Sequence, residues 1–118
     1  MADVFVDSGP AALAAYQLDV AITNAPAKIV GIEGGEHPAF RQPPYYDPEA
    51  MQRERVIIAA YNTAPGADLP KGRTRVASLH LRVDGATRAQ FSAGIKVAAG
   101  PDGKPVPCTL EIMERNTP

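Results

Sequence analysis

Tyr16-Gln17-Leu18-Asp19-Val20-Ala21-Ile22-Thr23 sets large apolar side chains at every second position, with Gln17, Asp19 and Thr23 between them. A period of two is that of a β-strand, whose successive side chains point to opposite faces. One face here is apolar and the other wet, so the strand belongs to an antiparallel sheet that covers a core on one side. The pattern repeats outward in both directions. Val4 and Val6 mark a strand that ends at Ser8-Gly9-Pro10, and Asn24-Ala25-Pro26 breaks the quoted one. Val30 and Ile32 carry the next, stopped by Gly34-Gly35. Ala77, Leu79, Leu81 and Val83 alternate with Ser78, His80 and Arg82 before Asp84-Gly85. Phe91, Ile95 and Val97 mark another strand, and Val106, Cys108, Leu110 and Ile112 the last. Between these two, Pro101-Asp102-Gly103-Lys104-Pro105 reads as a tight reversal whose Asp-Gly pair tolerates positive φ. Seven or more short strands with turns at close intervals predict an all-β fold, an antiparallel β-sandwich. Leu18, Val20, Leu79, Leu81, Leu110 and Ile112 are its expected core.

Composition narrows the function. With 118 residues, 45% of them apolar, the chain fits one domain over 1–118. Twelve basic and thirteen acidic side chains leave a net charge of −1, so no sustained positive field is available and nucleic acid is not an expected partner. No apolar run approaches the roughly 20 residues of a membrane span. Twelve prolines and ten glycines argue against a helical bundle. The single Cys108 excludes an internal disulfide and a multi-cysteine zinc site, and its alternation with Val106 and Leu110 reads as a small buried hydrophobe. Glu33, Glu36, His37 and Asp47 lack the dense spacing of a calcium loop and read as solvated charge. No serine sits in a nucleophile elbow, so Asp7-Ser8 with His37 or His80 is no triad. Lys71, Arg73 and Arg75 read as a solvated strand entrance. The expectation is a protein that is not an enzyme and needs no cofactor or metal. Met1-Ala2 running straight into a strand, and Asn116-Thr117-Pro118 at the other end, suggest a domain excised from a larger protein.

Two stretches depart from the alternating frame. Residues 36–54 have no clean period and hold Pro38, Pro43 and Pro44. Asp47-Pro48-Glu49 is a helix-start signal, with a side-chain acceptor at the cap and proline in the first turn, and predicts one short helix of about two turns near 47–54. Phe40, Tyr45 and Tyr46 place three of the seven aromatic residues within seven positions. Such rings either pack over one end of the sandwich or face outward to stack on a sugar or a partner's side chains. The second stretch, Arg55 to Tyr61, is apolar on both faces. Its outward face is covered by the 36–54 segment or forms an interface with another chain. Phe40, Tyr45, Tyr46 and Tyr61 are therefore the candidate ligand- or partner-binding residues.

The order of segments resembles one known family. "VFVDSGPAALAAYQLDVAI" (4–22) followed by "KIVGIEGG" (28–35) is similar to the opening of cohesin domains, the nine-stranded jelly-roll modules of cellulosome scaffolds. Ala15-Tyr16-Gln17-Leu18-Asp19-Val20 stands where that family has "A-x-Q-F-x-L", and Ile29-Val30-Gly31-Ile32-Glu33-Gly34 where a strand ends in "V-x-x-G". "RVIIAAYNT" (55–63) before "GRTRVASLHLRV" (72–83), and the closing "DGKPVPCTLEI" (102–112), also resemble cohesin strands. The stretch 36–54 is outside the family's pattern. The resemblance implies a jelly-roll, non-catalytic module of a secreted or cell-surface assembly, attaching another protein domain of dockerin type. A polysaccharide bound by the aromatic cluster, a homo-oligomer contact, and a structural spacer without a ligand remain as alternatives.

Overall fold

A computed structural model of the chain describes residues 1–23, 27–50, 53–83 and 90–114. The breaks read at Asn24-Ala25-Pro26 and Asp84-Gly85, and the terminal Asn116-Thr117-Pro118, lie outside them. The described residues hold seven strands: β1 (Ala2–Asp7), β2 (Ala15–Ile22), β3 (Ala27–Gly34), β4 (Arg55–Tyr61), β5 (Arg73–Val83), β6 (Phe91–Ala99) and β7 (Thr109–Glu114). Two antiparallel sheets, in the orders β3-β5-β1-β7 and β4-β2-β6, make a β-sandwich. Where the family resemblance implies nine strands, the described residues contain seven. Among them no helix is long and apolar enough to cross a membrane.

Every connection carries the chain from one sheet to the other, so no two consecutive strands pair. Packed sheets lie about 10 Å apart, and each link must span that gap. This is what the proline- and glycine-rich links are for. The reversal at 101–105 shows how. Gly103 takes φ 80°, its N–H reaches the Gly100 carbonyl at 2.9 Å, and Asp102 Oδ1 accepts from the Lys104 N–H at 3.0 Å. Pro105 and Val106 then run back along Ala99 and Ala98 before the chain crosses to β7.

The core follows from the alternation. Tyr16, Leu18, Val20 and Ile22 of β2 face Val4 and Val6 of β1, Ile29 and Ile32 of β3, and Val76, Ala77 and Leu79 of β5. Burial pushes the Tyr16 phenol well above its usual pKa, and its O–H donates a long bond of 3.4 Å to the Val76 carbonyl. Three expected core residues are corrected. Leu81, Leu110 and Ile112 are only partly buried. β7 and β6 are the edges of their sheets, and they lie side by side at one margin with no strand closing the gap among the described residues. Leu79→Ala should therefore cost about 2–5 kcal/mol, and Leu81→Ala roughly half as much, in urea unfolding. A larger loss at Leu81 than at Leu79 would contradict the partial exposure of Leu81.

The helix near 47–54 is corrected as well. It is a single 3-10 turn, Pro48–Ala50, capped by Asp47 Oδ1 accepting the Glu49 N–H at 3.0 Å. Met51 and Gln52 lie outside the described residues. Beyond them the Arg53 and Glu54 carbonyls already accept the N–H groups of Ile29 and Ile22, at 2.8 and 2.7 Å. Those bonds commit residues 53 and 54 to the sandwich.

Candidate interaction face

The two outer faces differ in chemistry. That of the four-stranded sheet is laced with charge. Ser78 Oγ donates to Asp3 Oδ1 and accepts from Arg75, both at 2.8 Å, with Asp3 and Ser78 buried. Arg73 stacks over Phe5 at 3.8 Å and reaches Glu111 at 3.4 Å, while His80 Nε2 meets Glu33 at 2.9 Å. Lys28 stands opposite Arg82.

The outer face of the three-stranded sheet is mostly apolar. Since Leu18 and Val20 point inward, Ala15, Gln17, Asp19 and Ala21 point out. Register sets Tyr61, Ala59, Ile57 and Arg55 of β4 against them on one side. On the other side stand Ala99, Val97, Gly94 and Ser92 of β6. The central strand presents Gln17 and Asp19, and Ala15, Ala59 and Gly94 leave low points beside them. Around them Ile57 and Val97 are exposed by 42% and 47%, and Tyr61 by 69%. Tyr45 is carried to this face by the 36–54 segment, which makes one antiparallel bridge with Ala59. The Tyr45 N–H reaches the Ala59 carbonyl at 2.7 Å, and the Ala59 N–H the Tyr45 carbonyl at 3.0 Å. Tyr45 is 76% exposed and lines a hollow with Tyr61, Asn62 and Thr63.

Polar groups on this face are largely engaged. Arg55 grips Asp19 with two hydrogen bonds, the Nε one at 2.8 Å. These bonds hold the Asp19 carboxyl below its ordinary range, against a smaller opposing effect of burial. Asn62 Nδ2 donates to the Ala39 carbonyl at 3.0 Å, and its Oδ1 accepts from Ala64 at 2.8 Å.

Of the four residues singled out in sequence, Tyr45 and Tyr61 come together at the surface. Tyr46 is half-buried, packed against the core. Phe40 is corrected: it is 2% exposed and meets Tyr16 edge-on, ring centres 5.4 Å apart at 64°. A 3-10 turn, Pro38–Phe40, turns it inward, capped by His37 Nδ1 accepting the Ala39 N–H at 3.0 Å. Two further contributors escape a reading by period alone. Ile57 sits in a strand apolar on both faces, so nothing marks which side is outward. Val97 shares the parity of Ile95, yet Ile95 pairs with Leu18 and Val97 with Gln17, because Lys96 is an extra residue at a bulge. That one residue flips Val97 outward.

The other candidates have structural tasks. Glu36 accepts the Arg75 N–H at 2.7 Å. Cys108 is half-buried, and burial together with the Asp7 charge pushes its thiol pKa up. Among the described residues no three His, Cys, Asp or Glu side chains stand where they could hold a metal. No protein-family model matches the chain, nor does any curated protein or solved structure at a significant level.

Proposed function

We propose that this chain is a non-catalytic protein-binding module that docks a partner domain on the outer face of β4-β2-β6. The observation that carries the reading is the contrast between two faces of one sandwich. One spends most of its side chains on internal ion pairs and hydrogen bonds, with Val30 and Met113 exposed singly on separate strands. The other leaves Tyr45, Ile57, Tyr61 and Val97 in water beside Gln17, the Asp19–Arg55 pair and small Ala and Gly positions. Exposed apolar area of that kind costs solubility unless something covers it, and exposed tyrosines supply contact area at low entropy cost. Sugar recognition needs free polar groups to meet hydroxyls beside the stacked ring. Here Asn62, Arg55 and Asp19 are already paired, and Gln17, Ser92 and Lys96 are the polar groups that remain. The breadth of exposed apolar area, with Ile57 and Val97 beside the two tyrosines, favours a protein surface over a polysaccharide. The secreted or cell-surface setting, and a jelly-roll kinship with cohesins, rest on the sequence resemblance.

The test is a capture experiment on the secreted fraction of the source organism with three forms of the chain. These are wild type, the double variant Ile57→Asp/Val97→Asp, and the opposite-face control Lys28→Ala. Wild type and control should retain the same protein, and the double variant should lose at least tenfold in affinity, about 1.4 kcal/mol or more. Equal capture by all three removes the face from consideration. Binding of glycans alone, abolished by Tyr45→Ala with Tyr61→Ala, transfers the face to the carbohydrate reading.

A further inference from the structure

The outer edge of β4 carries a gap with a definite chemistry. In an antiparallel ladder a residue's N–H and C=O point to the same side. Both groups of Ala59 bond Tyr45, so they point away from β2, and by the two-residue period so do those of Ile57 and Arg55. The Arg53 carbonyl, next in that series, is taken by Ile29. Between these closed points, Ile57 and Arg55 meet no backbone partner among the described residues. The chain's own cover cannot continue from Tyr45 into the gap. The position that would oppose Ile57 is Asp47, which turns away to cap Pro48–Ala50, and Pro48 has no N–H to offer.

A hollow of about 790 Å³ opens at this gap, floored by Ile57 and Ala59 and walled by Tyr45 and Tyr46. Asp47, Glu49 and Glu54 stand on its rim. Two arginines line it as well: Arg55 is paired with Asp19, and Arg53 donates its Nε to the Glu49 carbonyl at 2.9 Å, which leaves one cation beside three carboxylates. No ion pair reaches the three rim carboxylates among the described residues. The hollow thus combines unpaired strand edge, aromatic wall and a surplus of negative charge, three carboxylates against Arg53.

We propose that the partner presents a short, extended, basic segment to this gap. Its backbone adds to β4 at Ile57 and Arg55, and a lysine or arginine lodges among Asp47, Glu49 and Glu54. Main-chain hydrogen bonds supply the register, as in other strand additions, and the carboxylates select the side chain. The inference rests on the docking reading above and names the chemistry of the partner's central contact.

The probe is acetyl-Val-Lys-Val-Lys-Thr-amide, titrated into the full chain under amide-detected NMR, with the peptide carrying Glu for Lys as counterpart. The lysine peptide should shift the amides of Arg55 and Ile57 and slow their exchange. Glu49→Gln with Glu54→Gln should weaken it at least fivefold, and raising salt from 0.05 to 0.5 M should weaken it comparably. The glutamate peptide should leave these amides unmoved. No shift at 55–59, equal binding of the glutamate peptide, or insensitivity to the double Gln variant each overturns the proposal. The two readings separate in the capture experiment. A partner lost on Ile57→Asp/Val97→Asp but held unchanged by the Gln variant keeps the face and eliminates the basic segment.

Discussion

Gly35→Ala is expected to destabilise the fold by about 3 kcal/mol or more, lowering Tm by roughly 10 °C or more. A methyl group built on Gly35 would fall against the Arg75 carbonyl oxygen and within 2.8 Å of the Val76 Cα and carbonyl carbon. These are backbone atoms of β5, the central strand bonded to both β1 and β3. They cannot swing aside as a side-chain tip would. The approach is close because the chain leaves β3 by folding back on β5: the Glu36 N–H donates to the Arg75 carbonyl at 3.0 Å, and the Gly35 N–H to the Phe40 carbonyl at 2.7 Å. Gly94→Ala is the internal control. No atom lies within 4 Å of a Cβ there, so the change should leave Tm unaltered or slightly raised. Thermal melts followed by circular dichroism separate the two. A Gly35→Ala protein melting within about 2 °C of wild type would contradict the close approach.

Much of this architecture is legible in the residues, and what escapes has identifiable causes. β2 announces itself because Tyr16, Leu18, Val20 and Ile22 obey one period with no interruption, and all four are buried. Gly34-Gly35 reads as a strand stop, but two glycines are needed because the Arg41–Gln42 backbone lies against the first and the β5 backbone against the second, and no local pattern encodes that. The partition into sheets is also hidden. Alternation gives each strand an inward face but not its neighbours, so the marginal places of β6 and β7, and with them the partial exposure of Leu110 and Ile112, follow only from the pairing. Val97 turns outward through one bulged residue, which shifts parity without altering composition. At the candidate face, Tyr45 is marked by its lack of period and Tyr61 by a strand that is apolar on both faces. Phe40 shares Tyr45's lack of period and lies in the core instead. An aperiodic aromatic signals only a segment that must be anchored somewhere, and the direction of the ring is set by the turn that carries it.

Phe40→Ala is the second large effect expected, about 3–5 kcal/mol in urea unfolding. Its ring is the anchor of the 36–54 segment, inserted beside Tyr16 at the centre of the core. Around it the backbone is tied at few points: Gly35 N–H to the Phe40 carbonyl, Asn62 Nδ2 to the Ala39 carbonyl, and the Tyr45–Ala59 bridge. Removing the ring leaves a cavity against Tyr16 and frees the segment from its deepest attachment. Two readouts should therefore move together. Global stability falls, and the Ala59 amide, which Tyr45 protects, exchanges faster by more than the global loss alone explains. Tyr16→Phe is the counterpart on the other ring. It keeps the edge-on packing and gives up only the long bond to the Val76 carbonyl, so it should cost about 1 kcal/mol or less and leave Ala59 exchange tracking global stability. A Phe40→Ala protein that loses less than about 1 kcal/mol would mean the segment is held by its surface bonds and not by the core. The same coupling reaches the interaction face. Tyr45 is held there by its bridge to Ala59, in the segment that Phe40 anchors, so loss of the Phe40 ring should also loosen the pairing of Tyr45 with Tyr61.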